Sequence, residues 1–150
     1  MTPRSITGVL LAATTTAATV LTATPAQAAT TKAPCSAGVT GTRVCVGVQT
    51  TSSDVRGYAQ VSDVAGGADL DVNVRSVVLQ RRTCGGSWQS WTRVQNTGDT
   101  SGTSDTDTTA WVIFPSGVQF RTVATYSVEE AKPPYTGRSG TATSRVFGTC

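Results

Sequence analysis

Apolar residues in this chain recur at every second position, not at every third or fourth. TRVCVGVQT (42–50) places Val44, Val46 and Val48 on one side, and VRGYAQVSDV (55–64) does the same with Val55, Ala59 and Val61. LDVNVRSVVLQRR (70–82) begins with Leu70, Val72 and Val74, then changes phase to Val77 and Leu79. Such a slip predicts a β-bulge near Arg75–Ser76, because one inserted residue moves every later side chain to the other face. SWQSWTRVQ (87–95), TAWVIF (109–114), GVQFRTVATYSV (117–128) and TATSRVFGT (141–149) complete seven runs. None of them has a helical period of useful length. Seven short strands with turn residues between them predict an all-β, antiparallel β-sandwich of the immunoglobulin-like kind.

The segment before Ala29 has another pattern. MTPRS carries Arg4, an uncharged, Thr-rich run follows, and Ala26-Gln27-Ala28 supplies small residues at the end. That order predicts a secretory signal peptide over 1–28, removed on export, rather than a membrane span. The expected organisation is then an N-terminal segment at 29–41 and one sandwich domain at 42–150. No later run is long enough to span a bilayer. A secreted, extracellular monomer is the expectation.

Composition refines this picture. The formal net charge of +3 falls by one when Arg4 is lost, and no Lys/Arg-rich run exists, so nucleic acid is not an expected partner. Four cysteines, Cys35, Cys45, Cys84 and Cys150, occur in a chain without histidine. In an oxidising compartment an even count predicts two disulfides, and the absence of histidine and of any CxxC pair argues against zinc. Strand direction selects the pairing. If the first strand runs up, the third and seventh also run up, which brings Cys84 and Cys150 to the top. Cys35 and Cys45 lie before and at the start of the first strand, at the bottom. The predicted bridges are Cys35–Cys45 and Cys84–Cys150. On the chain-entropy account, closing loops of these lengths stabilises by roughly 3 and 4 kcal/mol.

VVLQRRTCGGSWQSW, GVQFRTVATYSV and SGTATSRV together resemble the second half of bacterial immunoglobulin-like or fibronectin-type-III-like extracellular domains. The resemblance covers roughly residues 55–150. It implies a sandwich with a binding or spacer role and no catalytic residue. The chain departs from antibody-type domains in lacking a cysteine pair on the second and sixth strands, and Phe120 stands where a tyrosine corner would be.

LQRRTCGGSWQSW (79–91) is the most distinctive stretch. Leu79–Arg82 should end the third strand, Thr83–Ser87 should turn with Gly85-Gly86 supplying positive φ, and Trp88–Val94 should return. Trp88 and Trp91 are three apart, so a regular strand sends them to opposite faces. One would enter the core while Arg81 and Arg93 flank the exposed ring. With Tyr135, these rings are the candidate binding aromatics.

The acidic residues concentrate at the bottom. Asp63, Asp69, Asp71, Asp99, Asp105, Asp107, Glu129 and Glu130 fall in or beside three loops, 62–69, 96–108 and 128–140. Asp69, Asp99, Asp105 and Asp107 are the candidates for holding calcium through carboxylate oxygens, or for attracting a cationic partner. Asp105-Thr106-Asp107 lacks the glycine and late glutamate of an EF-hand, and solvated aspartates are ordinary in turns. Catalysis finds no support: there is no histidine for a nucleophilic triad, and bridged cysteines offer no thiolate. The expected function is a non-catalytic binding or spacer module for a protein or cell-envelope component. The alternative is a secreted protease inhibitor presenting the 129–140 loop, where Lys132, Pro133, Pro134, Tyr135 and Arg138 supply stiffness and basic or aromatic contacts.

Overall fold

The computed structural model describes residues 30–39, 41–65, 69–96 and 102–150. The signal-peptide expectation for 1–28 and the candidate Asp99 lie outside them. Among the described residues ten strands follow one another: β1 (Thr30–Lys32), β2 (Cys35–Ala37), β3 (Thr42–Thr50), β4 (Asp54–Asp63), β5 (Leu70–Thr83), β6 (Gln89–Gln95), β7 (Ser104–Thr108), β8 (Val112–Ile113), β9 (Val118–Glu130) and β10 (Gly137–Thr143). The described residues contain no helix. One sheet runs β1–β3–β4–β7, with β2 also on β3 and β8 also on β4; the other runs β10–β9–β5–β6. All pairings are antiparallel. The protein is therefore an all-β sandwich of two antiparallel sheets, and its strand order is compatible with an immunoglobulin-like domain.

Period-two burial is the force behind this arrangement. Along β4 Val55, Gly57, Ala59 and Val61 are buried, and along β9 Phe120, Thr122, Ala124, Tyr126 and Val128 are, with less buried residues between them. These alternate residues interdigitate from the two sheets. β5 keeps its inward face through the predicted slip: its register against β9 shifts between Val74 and Ser76, so Arg75 is the extra residue and Val77 and Leu79 return to the core.

Four strand expectations are corrected. The last strand, expected at 141–149, is β10 at Gly137–Thr143; beyond Thr143 only Phe147 pairs, in an isolated bridge to Phe120. TAWVIF pairs only at Val112–Ile113, where Ile113 is 75% exposed. Ser104–Thr108, expected in a loop, is β7, an edge strand on β4. Residues 30–37, set apart from the domain above, lie on the edge of β3, interrupted at Ala33-Pro34, since proline cannot donate to a ladder. Seven strands thus become ten.

The bridges are Cys35–Cys45 and Cys84–Cys150. Cys35 stands directly opposite Cys45 across the β2–β3 pair, part way along β3 rather than at its end.

The core has two clusters. Val44, Val46, Val61, Val72, Val74 and Tyr126 belong to the larger, lower one, and Val48, Val55, Leu79 and Phe120 form the upper one. Between them lies Thr122, fully buried, whose hydroxyl donates to the Gly47 carbonyl at 2.7 Å and whose N–H donates to Ser144 Oγ at 2.9 Å. Facing it, the Gly57 N–H donates to Thr109 Oγ1 at 2.9 Å. A Cβ on Gly57 would come within 3.2 Å of the Thr122 side chain, so glycine is what lets the two sheets close here. Thr122→Val keeps the shape of the side chain and removes one donor. Urea unfolding should show a loss of about 1 kcal/mol with an unchanged slope.

Candidate binding face

Because the side chains of a strand alternate, Arg82 and Gln80 on β5 and Gln119 and Arg121 on β9 all point away from the core, on the outer face of the second sheet. The register places Arg82 opposite Gln119 and Gln80 opposite Arg121. Each pair closes a hydrogen bond of the same kind: Arg82 Nε donates to Gln119 Oε1 and Arg121 Nε to Gln80 Oε1, both at 2.8 Å. Trp88 folds back over this quartet, with the Arg82 and Arg121 guanidinium carbons 4.5 and 4.4 Å from its ring. The result is an aromatic plane laid across two guanidinium groups whose orientations are already fixed through Nε.

The hairpin that delivers Trp88 follows from local sequence. Gly85 takes φ 77°, which an L side chain rarely adopts, and the Gly86 N–H closes the turn on the Thr83 carbonyl at 2.9 Å. Gly85 alone of the Gly-Gly pair needs positive φ. Trp88 precedes β6, and a second bulge shifts the β5–β6 register between Leu79 and Gln80, leaving Trp91 as the extra residue. Trp91 turns inward and meets Phe120 edge-on at 6.4 Å, with Arg81 3.1 Å over its ring. The two tryptophans do lie on opposite faces, as their spacing implies. The flanking cations differ from expectation: Arg82 and Arg121 hold Trp88, not Arg81 and Arg93. A similar pair stands on the other sheet, where Arg56 Nε donates to Gln49 Oε1 at 2.7 Å and its guanidinium lies 4.3 Å over Trp111.

Charge is segregated along the sandwich. No carboxylate among the described residues lies within ion-pair reach of Arg81, Arg82 or Arg121. Of the described acids only Asp54 stands at the upper end, on the first sheet, where its carboxylate accepts from Ser53 Oγ at 2.7 Å. The remaining acids lie on or near the other halves of the strands.

The predicted acidic residues are only partly brought together. Asp69 is exposed and pairs with Lys132 at 3.3 Å. Asp105 and Asp107 sit opposite Val61 and Ala59, so they face the gap between the sheets. There Asp105 Oδ2 accepts the Val74 N–H at 2.7 Å, capping the edge of β5 beyond the end of β6. Among the described residues no group of three or more cysteines or acids is arranged to hold a metal ion. Burial, and then the neighbouring Asp105 charge, raise the Asp107 pKa above its ordinary value, while a hydrogen bond from Asn96 lowers it. A raised folded-state pKa means that ionised Asp107 costs stability at neutral pH. That cost vanishes once pH falls below the ordinary carboxylate range and both states are protonated. Asp107→Asn should therefore raise the melting temperature at pH 7, and the gain should shrink on acidification, read by thermal melts across pH 3–7.

Tyr135 is exposed, with φ 52°, in the turn between β9 and β10, the opposite end from Trp88 and Trp91. The three candidate aromatics thus do not form one surface. The Tyr135 N–H donates to the Lys132 carbonyl at 3.1 Å, which closes the 132–135 segment into a tight turn.

Comparison of the chain with protein-family models, with curated proteins and with solved structures gives no match.

Proposed function

We propose that the chain is an exported, non-catalytic binding module of the bacterial immunoglobulin-like or fibronectin-type-III-like kind, which presents the upper outer face of its second sheet to a cell-envelope component. One observation carries this reading. Arg82 and Arg121 are held by two glutamines and a tryptophan, in a part of the sheet that faces away from the core and offers them no carboxylate. Fixed, unneutralised guanidinium groups suit recognition of an anion, since little side-chain entropy remains to be lost on binding. Two disulfides are consistent with an extracellular location. With all four cysteines bridged and no histidine, thiolate and imidazole chemistry are absent from the protein's repertoire. The inhibitor alternative would place Lys132–Arg138 in a protease cleft as an extended segment; the turn at 132–135 does not favour it.

The test is co-sedimentation of residues 29–150 with envelope fragments of the producing cell. Retention should survive chelator and weaken in Arg82→Gln/Arg121→Gln and in Trp88→Ala. Retention that required calcium would move the site to the acidic end. A chain that stays in the supernatant in every buffer would sink the proposal.

A further inference from the structure

We propose that Arg82 and Arg121 act as one clamp for a phosphate group on the envelope component; this rests on reading the upper outer face of the second sheet as the binding face. The two arginines are diagonal neighbours across the β5–β9 pair, since Arg82 stands opposite Gln119 and Arg121 opposite Gln80. Their guanidinium carbons lie 4.5 and 4.4 Å from the centre of the same Trp88 ring, so the gap between them cannot exceed the sum of those distances. With N–H···O contacts of about 2.8 Å, a gripped phosphorus sits roughly 4 Å from a guanidinium carbon. One phosphate can therefore reach both cations. Two like charges held this close repel each other until an anion joins them, and no described carboxylate lies within ion-pair reach of either.

The donors left over on these side chains fit that anion. Each Nε is given to a glutamine oxygen at 2.8 Å, and the contact with Trp88 uses no N–H. The Nη groups of both arginines have no hydrogen-bond partner among the described residues, and both side chains remain partly exposed. Phosphate oxygens point in tetrahedral directions, so two guanidinium groups can grip one phosphate from different sides. A carboxylate offers two oxygens in one plane, and a single fork occupies both. The first sheet holds an internal comparison. Arg56 has the same kinds of partner, with Gln49 accepting from its Nε and Trp111 beneath its guanidinium, but it is one cation on its ring. The second cation over one ring is what distinguishes the Trp88 face. Charge segregation adds direction: a polyanion is drawn to this end and repelled from the end that holds Asp63, Asp69, Asp71, Glu129 and Glu130.

The experiment is titration calorimetry of residues 29–150 with inorganic phosphate, with poly(glycerol phosphate) and with polygalacturonate of matched charge. Both phosphate probes should bind, inorganic phosphate should displace poly(glycerol phosphate), and polygalacturonate should bind about 10-fold more weakly than the phosphate polymer. Arg82→Lys and Arg121→Lys each keep the charge and lose the fork, so each should raise the Kd for poly(glycerol phosphate) about 10- to 100-fold. Arg56→Lys makes the same change on the other sheet and should leave that Kd where it was. An unchanged Kd in either outer-face variant, an equal loss in Arg56→Lys, or polygalacturonate bound as tightly as the phosphate polymer would overturn the proposal. So would poly(glycerol phosphate) that inorganic phosphate cannot displace, since the polymer would then be held by something other than its phosphate. If neither phosphate probe binds while envelope fragments still retain the protein in an Arg82-dependent way, the ligand class is wrong and the binding face stands. Loss of both would sink both.

Discussion

Phe120→Ala should lower the unfolding free energy by about 3–5 kcal/mol, a large part of the roughly 5–15 kcal/mol that a domain of this kind has in total. Phe120 is fully buried and is the largest such side chain among the described residues. It belongs to the smaller upper cluster, where Val48, Val55 and Leu79 are its only fully enclosed companions and Phe114, Phe147, Val112 and Val118 pack around them. Phe114 stands 5.5 Å from its ring and Trp91 6.4 Å. Few neighbours can move to fill a vacated ring, because its backbone is held in an isolated bridge to Phe147, with both N–H groups donating at 2.8 Å. The cavity should therefore persist, and a persistent cavity is what makes such truncations expensive. Trp91 would lose its partner too, so the near-ultraviolet dichroism of the tryptophans should weaken along with the urea midpoint. A loss below 1 kcal/mol would mean that the upper cluster does not pack as described.

Much of this sandwich could be read from residue order, and the exceptions share a cause. The bulge at Arg75 was legible because burial on both sides of it is apolar: Val74 and Val77 cannot both face inward unless a residue is inserted between them. The disulfide pairing was legible because β5 and β10 run in the same direction, as expected; the missed β7 runs the same way as β8, both antiparallel to β4, so it leaves the direction of the later strands unchanged. β7 was not legible. Its inward positions are Asp105, which accepts the Val74 N–H at the edge of β5, and Asp107, neither of them an apolar core residue, so no hydrophobic alternation announces the strand. Inward-pointing charge on an edge strand also discourages pairing with another chain. TAWVIF misled for the opposite reason: it is apolar, yet Trp111 and Ile113 remain exposed and only two residues pair.

The candidate face was half legible. Trp88, Trp91 and the two adjacent arginines of LQRR stood out in the sequence, and opposite faces followed from spacing. Which arginine meets which tryptophan did not. Arg121 lies far along the chain from Trp88, and it comes beneath that ring only because the β5–β9 register sets Gln80 opposite Arg121 and Arg82 opposite Gln119. That register is itself fixed by the shift at Arg75. The Arg–Gln quartet is thus a tertiary fact built on a local one.

Replacing Cys84 and Cys150 by serine should cost about 4 kcal/mol, because the bridge closes a 66-residue loop and so removes much of the freedom of the unfolded chain. For a domain of this size that corresponds to a fall of roughly 10–20 °C in melting temperature. Cys35–Cys45 closes only 10 residues, and its removal should cost about 3 kcal/mol. The long bridge also has a local consequence. After β10 the chain turns across the upper end of the sandwich: the Ser144 N–H donates to the Thr122 carbonyl, Phe147 pairs with Phe120 over the upper cluster, and Cys150 then ties back to Cys84 beside the hairpin that carries Trp88. Without the bridge, residues 144–150 are retained by those bonds and by the packing of Phe147 against Phe114 and the upper cluster. Hydrogen exchange at Phe147 and Phe120 should accelerate more than exchange in the lower cluster, and the Trp88 hairpin should loosen with it. A smaller loss than that from removing Cys35–Cys45, with uniform exchange throughout, would refute both the loop-length argument and the role of the tail as a cover for the upper core.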